Sequence, residues 1–512
     1  MHTILKYLSF LLFLIITSCQ TPEKVVEINL SELSIAEIHQ AYTEGEYNSQ
    51  QLVTTYLAQI EKLDAKTNAI STINPKALAI AKKLDEEYQK TGKLRPLHGI
   101  PLIVKDNINT KGLPTTGGAI ALQGFIPEEN AFIINKLEKA GAIIIAKSNM
   151  AEWAFSAMHT ESSTKGTTRN PYNLNHVPAG SSGGTAASIT ANFGTVGLGT
   201  DTGNSIRGPS AHCSLVGFRT TIGLISRSGI IPLILRNDVV GPMCRTVEDA
   251  TKVLEVMAGY DPEDSVTKYG ETKVLENYQQ FLQKDGLKGA RIGVLRALSE
   301  DNPDAEVKAL FEQALVDMQS LGAIIIDTVE IPDFAALRQN QWCIDFRKDV
   351  ENYLATYVKR DSLKTLEDII RIGTKSEYAA GRLEFFSTHN GRMENPEITC
   401  ADPYTDLRRI AFREAIEKQM DALQLDAIVY PSWNNKPAKI DSFEEGYKGD
   451  NSQIIAPHTG QPAFTVPMGF AEGNLPAGLQ FLGRMYDEAT LIKLVYSYEQ
   501  GTKHRVPPPN FD

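Results

Sequence analysis

The chain predicts an α/β fold in which one sheet is covered by helices on both faces. Three observations carry this. Short apolar runs alternate with helical patterns along the chain. The runs are near-continuously apolar, as strands buried on both faces are. No repeat, low-complexity tract or clear linker interrupts them, so residues 28–512 are expected to form a single domain.

Ser34-Ile-Ala-Glu37 has the form of a capping box and should open the first helix. A second helix is expected after Asn48, with Leu52, Tyr56, Ile60 and Leu63 on one face. A third should cover Pro75 to Tyr88, ahead of the buried strand Gly99-Ile-Pro-Leu-Ile-Val-Lys105. Asn130 to Ala140 reads as a helix, Gly141 separates it from the next element, and Ala142 to Ala146 reads as a strand. A polar connection from His159 to Pro178 follows, then a helix over Thr185 to Asn192 and a strand over Thr195 to Thr200. The second half repeats the style. Strands are expected at Ala290–Leu295, Ala323–Ile326 and Asp426–Tyr430, with a helix at Ala305–Leu321.

The 512 residues are 42% apolar and 22% charged, ordinary for a globular protein. A net charge of −11 without a basic run gives nucleic-acid binding no electrostatic support. At the N-terminus, Lys6 precedes an apolar run from Tyr7 to Ile16, and Thr17-Ser18-Cys19 follow. This is the pattern of a secretory signal, too short to span a bilayer. Cys19 directly after small residues resembles a bacterial lipobox. The expected organisation is a lipoprotein-type signal at 1–18, a tether at 19–27, and membrane attachment through lipidated Cys19, facing the periplasm or cell exterior. An ordinary signal peptide with an incidental cysteine is the plainer alternative.

Cys213, Cys244, Cys343 and Cys400 lack C-x-x-C spacing and a histidine pair at ligand spacing, so no metal site is expected. Export would permit disulfides, but the spacing names no pair and free buried thiols are the default expectation.

Three segments concentrate candidate chemistry: Gly99 to Asn107 with Lys105, Ala179-Gly-Ser181-Ser-Gly-Gly-Thr185, and Gly199-Thr-Asp-Thr-Gly-Asn-Ser205-Ile-Arg207. A lone lysine is usually solvated. Lys105, however, ends an apolar strand, where desolvation favours the neutral amine and makes it a base. The Gly180–Gly184 loop admits a nucleophile elbow centred on Ser182, which would need a strand just before it. It also admits a phosphate loop, which lacks its lysine, or a plain turn or helix cap. Ser205 could simply cap a helix. Alternatively, the bend at Asp201 to Ser205 could aim consecutive backbone N–H groups at one point, as an oxyanion hole requires.

Together these segments resemble the amidase signature family of serine hydrolases. Pro96-Leu-His-Gly-Ile-Pro101, Lys147-Ser-Asn-Met-Ala-Glu152, Arg169-Asn-Pro-Tyr172, Val216-Gly-Phe-Arg-Thr220, Asp238–Asp249, Pro462–Pro467 and Gly478-Leu-Gln480 look like family segments too. The resemblance implies a large mixed β-sheet covered by helices. It also implies hydrolysis of a small-molecule amide through an acyl-enzyme on Ser205, with Ser181 and Lys105 as proton relay and no cofactor. The oxyanion amides fall on Thr202, Gly203, Asn204 and Ser205. Asn204 stands where many members have Gly; its backbone N–H remains, but its side chain can crowd or select substrate. The histidines, including His98, His212 and His458, are expected to be structural. A subunit of the A type from an amidotransferase, releasing ammonia from glutamine for a partner complex, is the alternative; an exported N-terminus argues against it. Selectivity is expected to lie in Phe334–Tyr357 and Ile370–Cys400. There Trp342, Phe346, Tyr353, Phe385 and Phe386 either form an acyl site or belong to the core.

Overall fold

The computed structural model describes residues 27–511 except 396. The expected signal segment, Cys19 and nearly all of the tether lie outside the described residues. Eleven strands form one mixed sheet. Across it the order is Ile70–Ile73, Ile143–Ser148, Pro101–Lys105, Val196–Asp201, Val239–Cys244, Val216–Arg219, Ala463–Ala471, Leu475–Leu482, Ala427–Pro431, Arg291–Val294 and Ile324–Asp327. Parallel pairs sit towards both edges, and the centre is antiparallel.

The local signals act as their chemistry dictates. Ser34 and Glu37 complete the capping box of Ile35–Glu44. Asn48 and Gln51 do the same for Ser49–Thr67, whose Leu52, Tyr56, Ile60 and Leu63 are buried. The third helix runs Ala77–Thr91, later than expected at both ends. It stops where Gly92 adopts a left-handed conformation. The next helix is Phe132–Lys139 and the strand after it Ile143–Ser148, each within a few residues of expectation.

The polar connection after His159 is not wholly irregular, because Glu161–Ser162 pairs with Gly166–Thr167. A larger correction concerns the buried helix after Ser182, which spans Gly183–Thr190 rather than starting at Thr185. Glycine weakens helices, but here close approach demands it. A Cβ on Gly184 would strike the backbone of Asn149, and one on Gly197 would lie 2.6 Å from Thr185 Cγ2. The small helix therefore lies directly on the strands that carry Lys105 and Asp201.

A second apolar cluster lies beside the main core. It joins Trp153 and Phe155 to the helices Phe346–Tyr353, Leu366–Ile372 and Glu377–Thr388. Phe346 and Tyr353 are core residues of this cluster, not pocket walls. Cys343, next to Ile344 of this cluster, forms a disulfide with Cys400, contrary to the free-thiol expectation, while Cys213 and Cys244 are buried free thiols. The pairing of Cys343–Ile344 with Gly391–Arg392 folds this region back on itself, a long-range event that linear spacing does not encode.

Among the described residues, no helix is long and apolar enough to cross a membrane.

Candidate active site

The Pro101–Lys105 and Val196–Asp201 strands are parallel neighbours, with Val104 opposite Leu198. Their C-terminal ends therefore finish side by side, and Lys105 meets Thr200. Lys105 is fully buried. Its Nζ donates to Ser181 Oγ at 2.8 Å, Thr200 Oγ1 at 2.9 Å and the Thr200 carbonyl at 3.3 Å. Burial pulls its pKa down to about 7, against the opposing carboxylates of Asp201 and Asp238. Neutral amine is thus accessible at ordinary pH. Thr200, which also accepts from Asn107 Nδ2 at 3.0 Å, carries no sequence signal as a partner of the lysine.

Ser181 and Ser182 part company. Ser182 Oγ donates to the Thr200 carbonyl at 3.2 Å. No strand precedes it, so the nucleophile-elbow reading fails. Ser181 follows a cis Gly180–Ser181 peptide and turns its hydroxyl to Lys105.

The helix after Ser205 is Arg207–His212, and Ser205 does not cap it. Asp201 does so instead: its Oδ2 accepts from the N–H groups of Ile206 at 3.1 Å and Arg207 at 3.5 Å. The capping explanation for Ser205 therefore falls away. The N–H groups of Thr202, Gly203, Asn204 and Ser205 form no backbone hydrogen bond among the described residues. Four successive unspent donors at a bend can receive an anionic oxygen. Gly203 is approached by Gln453, whose Oε1 would lie 3.0 Å from an added Cβ. Asn204 keeps negative φ. Its Nδ2 donates to the Ala157 carbonyl at 3.2 Å, and its Oδ1 lies 3.5 Å from Ser205 Oγ.

Buried ion pairs hold the bend. Asp201 receives Arg207 Nε at 3.1 Å and Arg219 Nη1 at 2.7 Å. Burial alone would raise its pKa, but the two guanidiniums overcome this and hold it at about 2. Arg207 Nη2 also donates to the Gly203 carbonyl at 2.7 Å, and Thr202 Oγ1 donates to Asp238. Removing the shared carboxylate would leave two buried guanidiniums facing each other. We expect Asp201→Ala to cost about 3–5 kcal/mol, read as a lower urea midpoint, with activity falling further than the unfolded fraction explains. An unchanged midpoint would mean that the two arginines do not depend on this carboxylate.

A second buried lysine, Lys147, donates to the Ile108 carbonyl at 2.7 Å and Thr115 Oγ1 at 2.9 Å, with Asp106 Oδ1 at 3.6 Å. It does not reach Ser181. His98 is buried with its Nε2 against the Leu84 carbonyl, His212 stacks on Trp433, and His458 packs edge-on to Trp342.

Ser205 opens onto a cavity of about 350 Å³ bounded by Phe155, Trp342, Tyr378, Phe385, Phe386 and Tyr447 among others. Trp342, Phe385 and Phe386 therefore line the site, as one of the two readings of these aromatics has it. Tyr447 and Gln453 escape a reading of the sequence. Tyr447 directly follows a turn and Gln453 ends the short 3-10 helix Asn451–Gln453, and both donate to half-buried Asp450, whose pKa desolvation raises to about 7.

The chain as a whole is similar to known proteins. The Amidase family model matches residues 51–492. The chain belongs to the Amidase family. It is 34% identical over 501 residues to a probable amidase of Arabidopsis thaliana, covering 94% of this chain and 92% of the relative. It is also 34% identical over 495 residues to the A-type subunit of glutamyl-tRNA(Gln) amidotransferase from Microcystis aeruginosa, covering 93% and 99%. Among solved structures it is similar to native peptide amidase from Stenotrophomonas maltophilia, with a TM-score of 0.82, 34% identity and coverage of 94% and 99%. The protein is an amide-hydrolysing enzyme, and the mixed sheet with its helices is the fold of these relatives.

Proposed function

We propose that this amidase cleaves a carboxylic amide through an acyl-enzyme on Ser205, with Ser181 and Lys105 as its proton relay. The observation that carries the reading is the 2.8 Å contact of buried Lys105 Nζ with Ser181 Oγ, beside the bend that holds Ser205. A serine hydroxyl needs a base before it can attack. Neutral Lys105 takes the Ser181 proton as Ser181 takes that of Ser205. Ser205 Oγ bonds to the amide carbonyl carbon, and the displaced π electrons settle on its oxygen. The N–H groups of Thr202, Gly203, Asn204 and Ser205 receive that charge. The C–N bond then breaks as Ser181 returns a proton to the leaving nitrogen, and Lys105 passes its proton back to Ser181. Water attacks the acyl-enzyme along the same relay and releases the acid.

The test is covalent: a fluorophosphonate should label the protein once, on the peptide that carries Ser205. Labelling confined to another peptide, with turnover lost, would move the nucleophile. The aromatic cavity suits an amide with an apolar group. Likeness to an A-type amidotransferase protein supports a second reading, ammonia release from glutamine. Glutaminase activity that needs a co-purified partner would favour it.

For localisation, we propose cleavage before Cys19, lipidation of its thiol, and export. The Lys6-to-Cys19 pattern supports this, and the Cys343–Cys400 disulfide suits an oxidising compartment. Cys19→Ala should shift the protein from the membrane fraction to the soluble fraction. Unchanged membrane association would refute the anchor.

A further inference from the structure

Among the described residues, Arg382 is the one charged side chain on the wall of the catalytic cavity. It extends from the Glu377–Thr388 helix, one turn after Tyr378 and one before Phe385 and Phe386, so all four share a face towards the site. Its guanidinium carbon lies 4.6 Å from the centre of the Phe385 ring and 4.8 Å from that of Phe386. Such contact uses the faces of the guanidinium and leaves its in-plane N–H donors available. The side chain is half-buried, and its Nε is buried without a hydrogen-bond partner among the described residues. Burial pulls its pKa down, and the ionisable group that opposes this is Tyr378.

Most buried arginines of this protein are paired with carboxylates. Arg207 and Arg219 share Asp201, Arg227 takes Asp264, and Arg236 and Arg392 share Asp406. Arg245 donates instead to backbone carbonyls, and Arg409 to backbone carbonyls and Asn237 Oδ1, although among the described residues the Nε of each has no partner. A partly desolvated guanidinium without such partners costs free energy unless something supplies one. At the catalytic cavity of an enzyme that something is the substrate, and the planar fork of arginine matches a carboxylate in two hydrogen bonds.

We propose that Arg382 recognises a carboxylate on the amide substrate, making this an amidase for acidic amides. The group would sit on the acyl part or on the amine part. Both place the same anion against the same cation, within a cavity otherwise apolar enough to strengthen the pairing. The inference rests on amide hydrolysis at Ser205. Asn204 and Phe155 bound the space around that serine, while Arg382 decides what the rest of the substrate carries.

The experiment compares each carboxylate with its own methyl ester, which differs in charge but little in shape. One arm uses the mono-4-nitroanilide of glutaric acid, with the carboxylate on the acyl part. The other uses N-butanoyl-4-aminobenzoate, with it on the amine part. In at least one arm the wild-type enzyme should favour the free acid in kcat/KM by roughly 10- to 100-fold, the span of a charge-assisted hydrogen bond. Arg382→Met keeps the apolar stem against the two phenylalanines and should bring that ratio to about 1, chiefly through KM. Arg382→Lys should restore part of it. No preference in either arm, or the same preference in Arg382→Met, overturns the proposal. Calorimetric titration of Ser205→Ala with the same free acids and esters gives a readout that needs no turnover. Tight binding of an acid that Arg382→Met abolishes in that background supports the inference even if the Ser205 mechanism fails. Equal binding of acid and ester overturns it even if that mechanism holds.

Discussion

Ser205→Ala is expected to reduce amide turnover by roughly 10⁵- to 10⁶-fold, the scale seen when a nucleophile that acts as part of a unit is removed. The alanine lacks the oxygen that would bond to the carbonyl carbon, while the N–H groups at the bend stay where they are. Binding should therefore survive better than rate. Ser181→Ala and Lys105→Ala should lose nearly as much, because each interrupts the one path by which the Ser205 proton leaves. The Ser181/Ser205 double variant should be little worse than Ser205→Ala alone. The measurement is steady-state hydrolysis of a chromogenic amide by purified variants, with the urea midpoint of each confirming that it is folded. Near-normal rates from folded Ser205→Ala would end the assignment. Multiplying losses in the double variant would mean that the two serines act independently.

The second large effect is in the pH profile. Lys105 must be neutral to begin the relay, and burial holds its pKa at about 7. Below that pH the ammonium dominates, so kcat/KM should fall about tenfold for each further unit of acidification. Above it the rate should level off. An unshifted lysine would place the same limb near pH ~10.4, where few proteins work. The groups acting on Lys105 are Ser181 and Thr200, which accept its hydrogen bonds, and the carboxylates of Asp201 and Asp238. Other groups titrate in the window. Burial brings Asp450 and Asp349 to about 7 and Lys147 to about 8. The decisive comparison is therefore between variants. The acidic limb should vanish from whatever activity Lys105→Ala retains and persist in Lys147→Met. A limb that survives in Lys105→Ala would belong to Asp450 or Asp349, and the relay would have to be redrawn.

Much of this site was legible along the chain because its parts lie at strand ends and helix starts, where local patterns are strong. The apolar run before Lys105 is a strand since nothing polar interrupts it, and a lysine at its end has nowhere to go but inward. The glycines around Ser181 mark a close approach that a Cβ would forbid. The capping boxes at Ser34 and Asn48 are complete within four residues each. By itself, then, the sequence determined the alternating architecture and the three segments that carry Lys105, Ser181 and Ser205. The structure turns the Ser181 hydroxyl, not that of Ser182, to the lysine, as the family resemblance implied, and tertiary structure alone decided that Asp201 rather than Ser205 caps the following helix. It also decided that Cys343 meets Cys400, and that Arg382 reaches the cavity without a carboxylate partner among the described residues. The reason is physical. Local patterns arise from hydrogen bonds and burial within a turn or a strand. Pairings between distant residues arise only when the packing of whole elements brings them together, and no periodicity in the chain records that.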